Sequence, residues 1–332
     1  MQSNFLPKLI NDPLGDPGVM VEFLCEQRAL QFDLGDLSST TNGELLKISH
    51  VFISHTHIDH FIGFDHLLRV VFGRGKTIDL YGPENFIANV TGKLAGFTWN
   101  LVDRYDESVT LEVTEVHADR LVKAKFKAID WFKKSDEREI PFVDGILVDE
   151  DRFIVRTAIL EYHIPCLGFS LEEKNHVNIC KDRLEKMCYQ SGPWLNELKK
   201  CVYEGKSDEY LLEVLSVAKG SQKRTLGQLK EELVLISPGQ KISYVVDTVY
   251  NEANKRDVVD LVKESDIFFC ESPFLAEEET RGLERCHLTA RQAGLIAREA
   301  NVKKLSVFHF SGRHTFRTEQ LIQEAEEAFQ GK

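Results

Sequence analysis

Residues 54–60 read SHTHIDH, which places three imidazoles and a carboxylate in one short run of a chain that has 11 histidines in all. Before the run comes ISHVFI, an apolar strand pattern, and after it FIGFDHLLRVVF, an amphipathic helical one. The histidines therefore occupy a loop between the C-terminal end of a strand and a helix, where α/β folds usually place their chemistry. Alternate side chains of an extended segment share a side, so His55 and His57 can reach one cation. Asp59 and His60 lie where the chain turns, displaced toward a second cation. Imidazole and carboxylate donors without a thiolate suit Zn²⁺, Mn²⁺ or Fe, and they point to an open catalytic site rather than a closed structural one. A lone histidine at such a place reads as a satisfied polar group. A run of four donors does not.

The rest of the chain sets the frame. Its 332 residues suffice for one large domain or two modest ones, and 42% hydrophobic with 28% charged residues describes a globular protein with a sizeable core. No apolar stretch approaches the length of a membrane span, and the start, MQSNFLPKLINDPLGDPG, lacks a secretory pattern. The seven cysteines form no CxxC pair, which reads as reduced thiols and a cytoplasmic location. A formal net charge of −12 argues against a broad basic face for nucleic acid, because phosphate neutralisation supplies much of that affinity.

Strand patterns recur along the chain. Residues 19–33 read as a hairpin, 48–54 as a strand, KTIDLYGP as another, and several β-rich runs follow from 108 to 170, with DED at 149–151 as a hairpin turn. Helices are expected over 61–73 and 84–97. From 172 to 235 the apolar spacing is helical, broken by Gly, Ser and Pro, and this segment reads as a helical insertion. Strands return at KISYVVDT, DIFFCES and KLSVFHFS, with helices between them. One domain over 1–332, made of two sheets packed face to face and flanked by helices, accommodates the pattern.

Three further candidates each end an apolar run: His163 in LEYHIPCLGF, Asp247 in ISYVVDT and His309 in LSVFHFSGRH. HTHIDH followed by FIGFDHLL, then this His, Asp and His in order, resembles the metallo-β-lactamase superfamily. The stretches HIPCLGFSLEEK, GQKISYVVDT, SDIFFCESPF and CHLTARQAGLIAREANVKKLSVFHFSGRH are similar more narrowly to ribonuclease Z, the endonuclease that trims tRNA 3′ ends. The likeness runs from about residue 19 to 320 and is weakest over 85–150 and in the insertion.

The resemblance implies an αβ/βα sandwich with two metal ions, zinc or alternatively Mn²⁺ or Fe. His55, His57 and His163 would hold one, Asp59, His60 and His309 the other, with Asp247 bridging. It also implies phosphodiester hydrolysis in which the cations lower the pKa of a shared water, and Asp59 is the residue placed to accept its proton. Glu271 and His287 match the supporting acid and the proton-transfer histidine of the family, although their neighbours read Cys270-Glu271-Ser272 and His287-Leu288-Thr289. Arg313, in FSGRHT, is a candidate for a substrate phosphate. The family's Pro-x-Lys-x-Arg-Asn loop is absent, and DLGDLSS stands where DCGEG is usual. SGPWLNELKK, with Lys206, Lys219, Lys223 and Arg224 after it, reads as a divergent tRNA-gripping arm or as solvated helix faces. The expected substrate is a tRNA precursor or other RNA, handled by a homodimer without membrane attachment. The alternative is a small phosphodiester, a cyclic nucleotide or an ester.

Overall fold

The computed structural model describes residues 4–24, 26–105, 107–216 and 220–332. Lys219, one of the basic residues noted above, and Cys25 lie outside them; the other six cysteines are free thiols. The chain divides into two compact units, one formed by residues 1–172 and 240–332, the other by 173–239.

In the larger unit the first sheet runs in sequence order through eight strands: β1 (Phe5–Leu9), β2 (Val19–Phe23), β3 (Ala29–Phe32), β4 (Ile48–Phe52), β5 (Thr77–Pro83), β6 (Thr110–Val116), β7 (Arg120–Lys127) and β8 (Lys134–Pro141). Its centre, β3 to β6, is parallel. The chain goes on through β9 (Ile146–Asp149), β10 (Phe153–Tyr162) and β11 (Ile164–Glu173). After β12 (His176–Ile179), β13 (Leu211–Ser216), β14 (Gly220–Thr225) and β15 (Val234–Ser237) of the smaller unit, it returns as β16 (Lys241–Val245), β17 (Ile267–Glu271) and β18 (Leu305–Phe308). The second sheet has the order β18-β17-β16-β11-β10-β9.

Strand alternation gives each sheet two apolar faces, and each face finds its own cover. Val19, Val21, Phe32 and Phe52 of the first sheet meet Phe169, Tyr244, Val246 and Phe269 of the second in one buried cluster. Aromatic rings dominate it, with Phe32 and Phe52 at 5.3 Å and Phe32 and Tyr244 at 5.8 Å between centroids. The intervening residues, Met20, Val51 and Leu80 among them, face the helices Phe64–Val71 and Phe86–Ala95. On the far side Phe268, Val245 and Cys270 face the helices Glu252–Val262 and Ala290–Glu299. The result is the expected helix–sheet–sheet–helix sandwich.

Three local outcomes differ from the sequence reading. The segment 61–73 is not one helix: Ile58–Phe61 ends, Gly63 intervenes, and Phe64–Val71 begins. A Cβ on Gly63 would stand 2.3 Å from the Gly35 carbonyl oxygen, so close backbone approach requires glycine there. The strand β1 was not anticipated. The smaller unit is also not purely helical: β12 pairs β15, and β13 pairs β14, around a core of Trp194, Leu198, Leu212, Val214 and Leu229. No helix among the described residues is long and apolar enough to cross a membrane.

Candidate metal centre

The parallel strands β4, β16, β17 and β18 bring their C-terminal ends to one edge of the sandwich, and the candidate donors follow directly from those ends. His55, His57, Asp59 and His60 come after β4, Asp247 two residues after β16, Glu271 as the last residue of β17, and His309 as the first after β18. Asp247 (φ 46°) and His309 (φ 58°) take the left-handed backbone conformation, which non-glycine residues rarely adopt and which costs about 1–2 kcal/mol each. Strain of this kind turns side chains off the strand direction at a functional edge.

The SHTHIDH turn is tied from beneath by Asp33, itself at φ 51° and fully buried. Its carboxylate accepts from the Ser54 backbone N–H at 2.7 Å, the Ser54 hydroxyl at 2.7 Å and the Tyr244 hydroxyl at 2.8 Å. His60 Nδ1 donates to the same carboxylate at 2.8 Å. That bond fixes the tautomer, so Nε2 of His60 is left to face Asp59 at 3.5 Å and Asp247 at 3.6 Å.

Two sets of three donors converge here. The ligand atoms of His55, His57 and Asp247 lie within 4.8 Å of one another, and so do those of Asp59, His60 and His309. Asp247 touches both sets, with its Oδ2 3.4 Å from His55 Nε2 and its Oδ1 3.1 Å from His309 Nδ1. The second contact is off the hydrogen-bond direction. His55 Nε2, His60 Nε2, His309 Nδ1 and Asp247 Oδ1 are all buried without a hydrogen bond. Buried polar atoms are rarely left so, and orphaned lone pairs aimed at a common point are what a cation requires. The donor set therefore fits metal ions.

The electrostatics give the same picture with protons in place of cations. Burial pushes the Asp247 carboxyl up, yet His309 and His60 hold it well below the usual range. Asp59, against the same burial, is held at about 2 by His309 and His60. Burial disfavours the charged imidazoles, but Asp247 raises His309 well above its ordinary value, and Asp247 and Asp33 raise His60. Burial, aided by His55, lowers His57.

A third group, Asp247, Glu271, His287 and His309, adjoins both sets. Glu271 is fully buried and accepts from the backbone N–H groups of Thr248 and Leu288, each at 3.1 Å. Its other oxygen lies 2.8 Å from His287 Nδ1. Burial opposes both charges, but the pair lowers Glu271 and raises His287. His287 precedes the capping box of the helix Ala290–Glu299, which fixes the backbone that carries it. Its Nε2 is thereby directed outward, 3.5 Å from the Tyr162 hydroxyl.

One expected metal donor is placed elsewhere. His163 joins none of the donor groups: it sits at φ 54° between β10 and β11, exposed, and the residue directed at the site is its neighbour Tyr162. His163 leaves the extended conformation there, and the ring of Tyr162, the last residue of β10, is the one that lies against His55 and His57. Arg313 is exposed in the short turn Gly312–His314 and makes no ion pair among the described residues. Asp33, Ser54, Tyr244 and Tyr162 were missed. Only Asp33 left a trace in the sequence, as an acid closing the apolar run ALQF.

No family model matches the chain. Ribonuclease Z of Deinococcus radiodurans is 26% identical over 273 residues, covering 82% of this chain and 78% of that protein. A metallo-β-lactamase-fold protein of Bacillus subtilis superimposes with a TM-score of 0.56 at 15% identity, covering 98% and 92% of the two chains. The short form of human tRNase Z gives 0.52 at 18% identity, over 94% and 93%. The chain thus has the metallo-β-lactamase fold and is similar in sequence to ribonuclease Z over most of its length.

Proposed function

We propose that this chain is a binuclear metal-dependent phosphodiesterase of ribonuclease Z type, acting on the 3′ end of a tRNA precursor or on another RNA. The observation that carries the reading is the pair of adjacent donor sets, one containing Asp247 and the other in contact with it, beside the Glu271–His287 pair. His55, His57 and Asp247 would hold one cation, and Asp59, His60, His309 and Asp247 the other, zinc being the first candidate and Mn²⁺ or Fe the alternatives. Bound there, divalent cations make a water acidic enough to attack at neutral pH and draw charge from the phosphate oxygens.

The chain's own groups supply the rest. Asp59, half exposed at the start of a helix turn, is placed to take the proton of the attacking water. His287, whose proton affinity Glu271 raises, directs Nε2 outward, where in its protonated form an N–H can stabilise the developing charge or protonate the leaving oxygen. Arg313, exposed four residues beyond His309, offers a planar fork to a neighbouring phosphate.

A second reading, hydrolysis of a small phosphodiester, cyclic nucleotide or ester, is favoured by the fate of the basic residues in the smaller unit. Arg224 is paired with Glu232 at 2.6 Å, Lys230 with Asp208 at 2.8 Å and Lys206 with Glu204 at 3.3 Å. Cleavage of a 3′-extended tRNA precursor beside bis-p-nitrophenyl phosphate, with Zn²⁺ or Mn²⁺, separates the two. tRNA cut at its 3′ trailer, and lost in both His57→Ala and His287→Ala, supports the ribonuclease. Turnover of the small diester with intact tRNA moves the substrate to a small molecule, and no metal-dependent turnover of either overturns the proposal. A homodimer in the cytoplasm belongs to the same reading, and sedimentation analysis checks its stoichiometry.

A further inference from the structure

The two donor sets are unequal once Asp247 is shared. Asp59, His60 and His309 make four protein donors with Asp247, which meets the usual number for zinc. His55 and His57 make only three, and the histidine that would complete the count, His163, is exposed outside the group. The open side of this position is covered by Tyr162. Its ring stands edge-on to His55 and to His57, at 5.3 Å and 5.6 Å between centroids, and 5.5 Å from His287. Its hydroxyl lies 3.5 Å from His287 Nε2. The phenol is therefore brought to the cluster by its packing against the His55 and His57 rings and by the contact of its hydroxyl with His287.

We propose that Tyr162, and not His163, supplies the fourth protein donor to the position formed by His55, His57 and Asp247. The inference rests on the binuclear reading above and gives the two positions different chemistry. One has two imidazoles with two carboxylates, the other two imidazoles with a carboxylate and a phenol oxygen. The added oxygen donor makes this position more hospitable to hard cations than a histidine would, Fe³⁺ and Mn²⁺ in particular.

The test is metal content, measured on the full chain by equilibrium dialysis with elemental analysis. Wild type is expected to hold two Zn²⁺ per chain. Tyr162→Phe is expected to keep one and to bind the other at least about 10-fold more weakly, since even partners behind a ligand are worth that much. Tyr162→His should restore two ions, which a purely structural role for the tyrosine would not produce. His163→Ala should hold two with unchanged affinity. Wild type dialysed against Fe³⁺ should show a visible phenolate-to-iron absorption band that is absent from Tyr162→Phe. Loss of one ion in His163→Ala, or two ions at wild-type affinity in Tyr162→Phe, overturns the assignment while leaving the binuclear reading intact. A wild type that binds no Zn²⁺ overturns both.

Discussion

Asp33 carries a load that its position outside the donor sets conceals, and Asp33→Asn measures it. The carboxylate accepts four bonds: Oδ1 from the Ser54 N–H, and Oδ2 from the Ser54 hydroxyl, the Tyr244 hydroxyl and His60 Nδ1. An asparagine must turn its NH₂ toward one side. The cheaper choice keeps its oxygen at the Oδ2 place and sets N–H against the Ser54 N–H, which orphans that donor at about 1–3 kcal/mol. The three remaining bonds fall from charge-assisted to neutral, roughly 1 kcal/mol each. All groups are buried, so solvent recovers little, but removing a buried charge returns part of the loss. A net destabilisation of about 2–4 kcal/mol is expected from guanidinium denaturation. A 10- to 100-fold weaker affinity is expected at the Asp59–His60–His309 position, because His60 loses the partner that orients it. Tyr244→Phe removes one donor and leaves the carboxylate otherwise served, so about 1 kcal/mol is expected, and the double mutant should cost less than the sum. An Asp33→Asn protein with wild-type denaturation midpoint and wild-type metal affinity would refute the reasoning.

Gly63→Ala drives a Cβ to 2.3 Å from the Gly35 oxygen and 2.7 Å from Leu37 Cγ, so about 1–3 kcal/mol of stability should be lost; an unchanged thermal midpoint would show that the turn can yield. Because His60 and His309 hold their protons to higher pH than free imidazoles, a cation must displace them, and affinity should fall as pH drops through that raised range. Calorimetric zinc titrations in two buffers of different ionisation enthalpy count the released protons at pH 7, with zero release counting against the scheme. With Lys206, Arg224 and Lys230 paired within the smaller unit, the logarithm of kcat/KM for RNA should fall with the logarithm of salt at a slope of only about −1 to −2. A slope near −5 would reveal a basic clamp.

How far the sequence could be read depended on whether a signal was local. SHTHIDH with the strand before it is one contiguous pattern and was legible, as were most of the alternating strands of both sheets, although the helix expected over 61–73 is broken at Gly63. The strand β1, FLPKL, was hidden by Pro7, since proline demotes a strand and is tolerated here only at the sheet edge. The hairpin of β13 and β14 was hidden by its exposed leucines. Leu212, Val214 and Ser216 alternate into the core, but Leu211 and Leu215 are apolar too, so LLEVLS fits helical spacing equally well. At the site the adjacent pair Tyr162 and His163 could not be sorted, because a one-residue difference in register exchanges which of them faces inward. Asp33 and Tyr244 are 211 residues apart, and nothing local announces their bond.

On the ribonuclease reading, the arrangement of charges reconciles an acidic chain with a polyanionic substrate. Asp33, Asp59, Asp247 and Glu271 converge on a few imidazoles, and their negative charge raises the proton affinity of His60, His287 and His309. His55 Nε2 and Asp247 Oδ1 remain without hydrogen bonds, on a backbone strained at Asp33, Asp247 and His309. A site of this kind is costly to fold alone, so part of the free energy of cation binding appears as stability of the sandwich edge. Two divalent cations would also reverse the local field, placing positive charge at the strand ends while the rest of the surface stays negative. Attraction to a phosphate then depends on the loaded centre rather than on a basic face. The net charge of −12 therefore limits how much of a nucleic acid the chain can grip, not whether it can cut one.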